Sequence, residues 1–146
     1  MPRYHHVQSA PTVTAIASLA VVVVMIAAVL TGGPAAWIAV AIGAALAVTV
    51  SYLFRSLTIE VAEHELRWHF GPGVWRKRLA LSDIVKAEPA SYPWWHGSGI
   101  RRVRGGWLYN VKPGDAVRIH CRDGREVNLG TDDQAGLIAA LTSRRG

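Results

Sequence analysis

Thr12–Leu30 reads TVTAIASLAVVVVMIAAVL and Ala35–Phe54 reads AAWIAVAIGAALAVTVSYLF, with Thr31-Gly32-Gly33-Pro34 between them. The two runs hold 19 and 20 residues, none of them Asp, Glu, Lys or Arg. At about 1.5 Å per residue, each makes a helix of roughly 30 Å, the thickness of a bilayer's hydrocarbon core. Only helices or closed barrels satisfy their own backbone groups in lipid, so the reading is two membrane-spanning helices joined by a tight turn. A cleaved signal peptide fits less well, because the first run is long for its apolar core and a second full-length run follows at once.

Working outward, the charge is strongly segregated. Of 16 bases only Arg3 precedes the apolar window, and all 10 acids follow it. The chain therefore divides into a tail (1–11), a helical hairpin (12–54) and a domain (55–146). The domain carries the remaining 15 bases against 10 acids, a net of +5. A basic domain tethered to a bilayer is drawn to anionic headgroups. Arg3 and Arg55 flank the spans and the turn is uncharged, so the positive-inside rule places both termini in the cytoplasm. The expected location is a membrane, crossed twice. Trp37 and Tyr52 fit interfacial aromatic belts. No ionisable group lies within either span, which points to an anchor rather than a transporter. The single cysteine, Cys121, excludes an internal disulfide.

In the second run Ala35, Ala39, Gly43, Ala47 and Ser51 recur every four residues and share one helix face. Such small-residue stripes let helix backbones approach closely. Ala39, Gly43 and Ala47 are the expected packing positions, against Ala20 and Ala28 of the first run or against a second copy.

After Arg55 the period changes from helical to two. Leu57, Ile59 and Val61 alternate with polar residues, as do Leu66, Trp68 and Phe70, which predicts two strands around Glu63-His64-Glu65. Further strands are expected over Val74–Leu79, Ile84–Glu88 and Trp107–Val111. Val117, Ile119 and Cys121 should pair with Val127 and Leu129 across Asp123-Gly124, a type I′ turn signal. Pro89–Gly106 reads as a long loop. Thr131-Asp132-Asp133-Gln134 has the form of a capping box, with Thr131 as N-cap and Gln134 reaching back. Leu137, Ile138 and Leu141 form the stripe of the helix that follows, with Arg144 and Arg145 at its negative end. The expected architecture is mainly β, a strongly bent sheet or barrel of about seven antiparallel strands plugged at one end by a C-terminal helix, on a transmembrane hairpin.

The order of two spans, meander strands, Leu81-Ser82-Asp83-Ile84, Gly99-Ile100-Arg101-Arg102, Gly106-Trp107-Leu108-Tyr109-Asn110, Asp123-Gly124-Arg125 and Gly130-Thr131-Asp132 resembles the bacterial pleckstrin-homology-like membrane proteins. The resemblance covers nearly the whole chain and implies a PH-like barrel on a membrane anchor, located in a bacterial inner membrane. It brings a fold more than an activity. The chain departs from the eukaryotic phosphoinositide binders, whose basic cluster between the first two strands is replaced here by Glu63-His64-Glu65.

The candidate binding residues are Arg101, Arg102 and Arg104 with Trp94, Trp95 and Trp107. Indole rings favour the headgroup level and guanidinium groups pair with phosphate. The same ingredients stack on single-stranded nucleic acid, but tethering favours lipid, so nucleic acid is not expected. Arg76-Lys77-Arg78 reads as a charged strand edge that blocks aggregation. No nucleophile elbow, phosphate loop or zinc motif is present, so neither metal nor cofactor is expected. The expected role is a membrane-anchored binding or scaffolding module, not an enzyme, that recognises a membrane protein, another copy of itself, or anionic lipid. The alternative is a membrane-bound hydrolase or transferase with its site in the 89–106 loop.

Overall fold

A computed structural model of the chain describes residues 2–143. Strand β1 (Tyr4–Ser9) leads into α1 (Pro11–Thr31) and α2 (Pro34–Leu53). Both helices start on proline, whose fixed φ suits the first turn and whose missing N–H costs nothing there. Helix α1 ends at Gly32, which adopts φ +63° and donates its N–H to the Ala28 carbonyl at 2.9 Å. Glycine takes this left-handed conformation without strain, so the hairpin turns within Gly32-Gly33. The helices are long and apolar enough to cross a membrane, with mean hydropathy 2.8 and 2.0. Their side chains are almost wholly uncovered; Ala28 alone is buried among the described residues of the pair.

The strands that follow are β2 (Ser56–Val61), β3 (Glu65–Phe70), β4 (Val74–Ala80), β5 (Ile84–Tyr92), β6 (Gly99–Val103), β7 (Gly106–Asn110), β8 (Gly114–Cys121) and β9 (Glu126–Gly130), before the terminal helix α3 (Gln134–Thr142). They form two sheets, β1-β2-β3-β4 and β5-β8-β9-β7-β6. All pairs are antiparallel except β7 with β9. The core lies between the sheets. Leu57, Ile59, Leu66, Phe70, Val117, Ile119 and Leu129 are fully buried there, capped by Leu137 and Leu141 of α3. Each such side chain contributes roughly 1.5–3 kcal/mol of transfer free energy.

Several expectations are corrected. The predicted tail contains β1, which pairs along the whole of β2 from Tyr4↔Val61 to Ser9↔Ser56. The count rises from about seven strands to nine, and among the described residues the sheets do not close into a barrel: β4 and β6 are free edges. Much of the predicted loop is ordered, because β5 runs on to Tyr92 and Gly99–Val103 forms β6. The β8–β9 pairing is as expected, Val117↔Leu129 and Ile119↔Val127. Its connection is longer than a two-residue type I′ turn: Gly124 alone has positive φ, and Asp123 accepts from the Arg125 N–H instead. The N-cap of α3 is Asp133, which accepts from Gly136 N–H at 3.0 Å. Thr131 bonds the Asp133 N–H, and Gln134 reaches across to the Ala90 and Ala116 carbonyls rather than back. Arg144 and Arg145 lie outside the described residues.

The domain meets the hairpin at one end. Gly71, φ +48°, sits so close to the end of α2 that a Cβ would stand 2.4 Å from the Leu53 carbonyl oxygen. Val13, Val50 and Phe54 share a cavity with Ile100 and Asn110. The near end of the domain is therefore Ser56, Phe70, Val74, Gly99 and Asn110. The far end is Val61, Glu65, Ala80 and the β6–β7 turn.

Candidate functional site

Around the hairpin's base the near end exposes four aromatic rings. Tyr52, in the last turn of α2, is half-exposed, and the Arg55 guanidinium lies 5.1 Å from its ring centroid. That spacing suits a cation–π contact. Trp75, just after the β3–β4 turn, has φ +52° and is the one non-glycine residue with positive φ among those described. A bulky residue held in this region carries backbone strain of about 1–3 kcal/mol. A register shift between Trp68 and Phe70 accompanies it, and the Trp75 indole projects outward.

Trp94 and Trp95 occupy a single 3-10 turn, Trp94–His96, between β5 and β6. They are 77% and 67% exposed, which for indoles is a large apolar area left in contact with solvent. The turn beneath them is firmly held. Its backbone closes through His96 N–H to Pro93 O and Gly97 N–H to Trp94 O, both at 3.0 Å. The buried Asn110 donates its Nδ2 to the Gly97 carbonyl at 3.1 Å. Buried Tyr92 stacks edge-on to His96 and donates its hydroxyl to Asn128 Oδ1 at 2.6 Å. The Asn110 of the Gly-Trp-Leu-Tyr-Asn motif thus anchors the loop through its Nδ2. Trp94 and Arg101 line a groove of about 730 Å³ that runs along the hairpin past Ile16, Gly43 and Leu46.

The six residues singled out in the sequence do not form one cluster. Arg101 and Arg102 are successive on β6 and point to opposite faces. Arg101 joins Trp94 beside the hairpin. Arg102 pairs with Trp107 across the β6–β7 ladder, and both face the gap between the sheets. Arg104 is exposed in the far turn, just past the end of β6, which is itself about 13 Å long. On α2, Ala39 is exposed, while Gly43 and Ala47 lie half-buried on the side next to α1. A Cβ on Gly43 would meet nothing within 4 Å. Sequence reasoning missed Trp75; the glycines and proline of the preceding turn marked a break, but not the direction of the ring after it.

Away from these rings, His120 Nε2 lies 2.9 Å from Glu88 and its Nδ1 3.3 Å from Glu126. Lys86 reaches the other Glu88 oxygen at 2.6 Å. Lys86 and then His120 hold the Glu88 carboxyl down to about 2. Burial pushes the Cys121 thiol up, which leaves it protonated and a poor nucleophile. Among the described residues, no three His, Cys, Asp or Glu side chains converge on a metal-sized space. Comparison of the chain with protein-family models, with curated proteins and with solved structures gave no match.

Proposed function

We propose that this chain is a membrane-anchored binding module of the bacterial PH-like kind. Its hairpin crosses the bilayer twice, both termini lie in the cytoplasm, and its β-domain rests on the headgroup layer, where it recognises a protein partner or anionic lipid. The observation that carries this reading is the collar of Tyr52, Trp75, Trp94 and Trp95 around the hairpin base, with Arg55 and Arg101 among them. Amphipathic rings at the end of an apolar helix pair belong at the water–lipid boundary. Two further points support it. The β1–β2 ladder brings the chain before α1 and the chain after α2 into one sheet, so a hairpin that spans the membrane leaves both on the same side. The surface around the Trp94–His96 turn of the 89–106 segment is open and aromatic, which favours binding there over hydrolysis or group transfer.

Brominated lipids quench tryptophan fluorescence only on contact. A variant that keeps Trp94 and Trp95 as its only tryptophans, reconstituted in bilayers, should be quenched by shallow bromines and little by deep ones. Absence of quenching at any depth would overturn the collar. Cysteines introduced at Ser9 or Ser98 in a Cys121→Ser background should resist an impermeant maleimide in intact cells. Labelling of either would reverse the sidedness.

A further inference from the structure

The far half of the domain holds a second feature, separate from the collar. The sandwich is covered on one flank by α3, which packs on β1, β5 and β8. On the other flank β4 and β6 are both edge strands, and the gap between them opens into a cleft of about 560 Å³. Lys77 and Arg78 line it from β4, and Arg102 from β6. Among the described residues none of these three cations is paired with a carboxylate. The one acid on the lining, Glu126, is already engaged by His120 and Arg118. Trp68, the cross-strand partner of Lys77, also lines the cleft; it is 4% exposed and its Nε1 has no hydrogen-bond partner.

Charge on a free edge protects it from pairing with other strands. Protection by one sign of charge is selective, however. Cations on both edges repel each other and any second copy of this chain, yet they attract an extended segment rich in carboxylates. Such a segment would also meet two rows of unpaired backbone groups and an indole donor that lacks an acceptor.

We propose that the β4–β6 cleft binds an extended acidic segment of a partner protein as an added strand, with its carboxylates on Lys77 and Arg102, the cations that face the gap from the two edges. The proposal rests on the binding-module reading but not on its membrane contacts, so collar insertion and peptide binding can fail independently.

The test uses the full chain in nanodiscs of neutral lipid, titrated with a fluorescent peptide of about seven residues alternating Glu and Val. Saturable binding that weakens with salt is expected. Lys77→Glu combined with Arg102→Glu should lower affinity about tenfold or more. Arg104→Glu, a single charge reversal outside the cleft lining, should lower it less than about threefold. The same peptide with alternate amides N-methylated keeps its charge but loses its strand donors, and it should not bind. Equal binding of the methylated peptide, equal affinity in the doubly reversed variant, or no saturation at millimolar peptide would each overturn the proposal. So would full displacement by millimolar inorganic phosphate, which would mark a small-anion site. Should the reversed pair fail to melt cooperatively, Lys77→Gln with Arg102→Gln carries the same comparison.

Discussion

The hairpin and the β-domain are both apolar, in opposite senses. The hairpin's apolar residues face outward: Ile16, Leu19, Val29, Leu30, Ile38 and Leu46 are each more than 60% exposed. The domain's apolar residues face inward: Leu57, Ile59, Leu66 and Leu129 are 0% exposed. A helix pair of this kind has no core of its own, and it is long and apolar enough to cross a membrane. A sandwich of this kind carries its solvent inside, and its stability follows from packing. Composition alone averages the two, whereas the direction in which the same residue types point separates them.

That contrast implies unequal costs for comparable truncations. Phe70 is fully buried, with its ring 5.3 Å from Phe54. Phe70→Ala should destabilise the domain by about 3–5 kcal/mol, through lost transfer energy and the cavity left behind. Leu46, 61% exposed, is the matched site in the hairpin. Leu46→Ala should move the detergent-solubilised unfolding midpoint by less than about 0.5 kcal/mol. Similar costs at the two positions would mean that the hairpin has a packed interface of its own.

The next effect falls on the joint between the regions. Gly71 combines positive φ with a Cβ position 2.4 Å from Leu53 O and 2.8 Å from Tyr52 O, both backbone atoms that cannot swing aside. Gly71→Ala should cost about 1–3 kcal/mol and loosen the domain on the hairpin. Faster proteolysis at the β3–β4 turn would report it. Gly43→Ala is the contrast, since the added methyl meets nothing within 4 Å and the variant should behave as wild type.

A smaller effect is expected where β1 meets α3. The Tyr4 hydroxyl donates to Asp133 Oδ2 at 2.9 Å, across 129 positions of sequence. The same carboxylate caps α3 through the Gly136 N–H. Tyr4→Phe should cost about 1 kcal/mol, and Asp133→Ala about 2 kcal/mol, because it removes the cap as well. Equal costs in denaturant titration would assign the whole effect to the tyrosine contact.

This contact also shows why β1 was not readable from sequence. Its inward-facing positions are Tyr4, His6 and Gln8, while Val7 points outward. The strand inverts the usual alternation, and its ties are the β2 ladder, Tyr4–Asp133 and His6–Asp132, all made by distant residues. By contrast, the two helices, β2, β3 and β9 carry their reasons locally, in charge-free length or in strict alternation, and they lie within a residue or two of where the sequence placed them, while β8 keeps its expected pairing but begins three residues before Val117. The candidate site failed differently. Arg101, Arg102 and Arg104 are neighbours along the chain, but strand geometry sends adjacent side chains to opposite faces, so nearness in sequence was the wrong measure. Trp75, Tyr52 and Trp94 come from three separate elements and share one end of the domain only in the fold.

The last comparison concerns pH. No Asp, Glu, Lys or Arg lies between Tyr4 and Phe54, so acid sensitivity belongs to the β-domain and not to the hairpin. Within the domain Glu88 is the clearest case, its carboxyl held at about 2 instead of the usual 4.5 by Lys86 and His120. A carboxylate whose folded-state value is depressed binds fewer protons when folded than when unfolded. Its stabilising contribution is present above about pH 4.5 and is lost as the pH falls towards 2. Asp123 and Asp133 are lowered too and add in the same direction. These groups face solvent, so screening keeps the contribution small. Denaturation midpoints of the full chain, measured from pH 6 down to 2, should therefore decline gently below about 4.5. Glu88→Gln cannot titrate, so its decline should be shallower than that of the wild type over the same interval. Identical slopes would show that the Lys86–Glu88–His120 cluster contributes nothing to folding, as is common for exposed ion pairs.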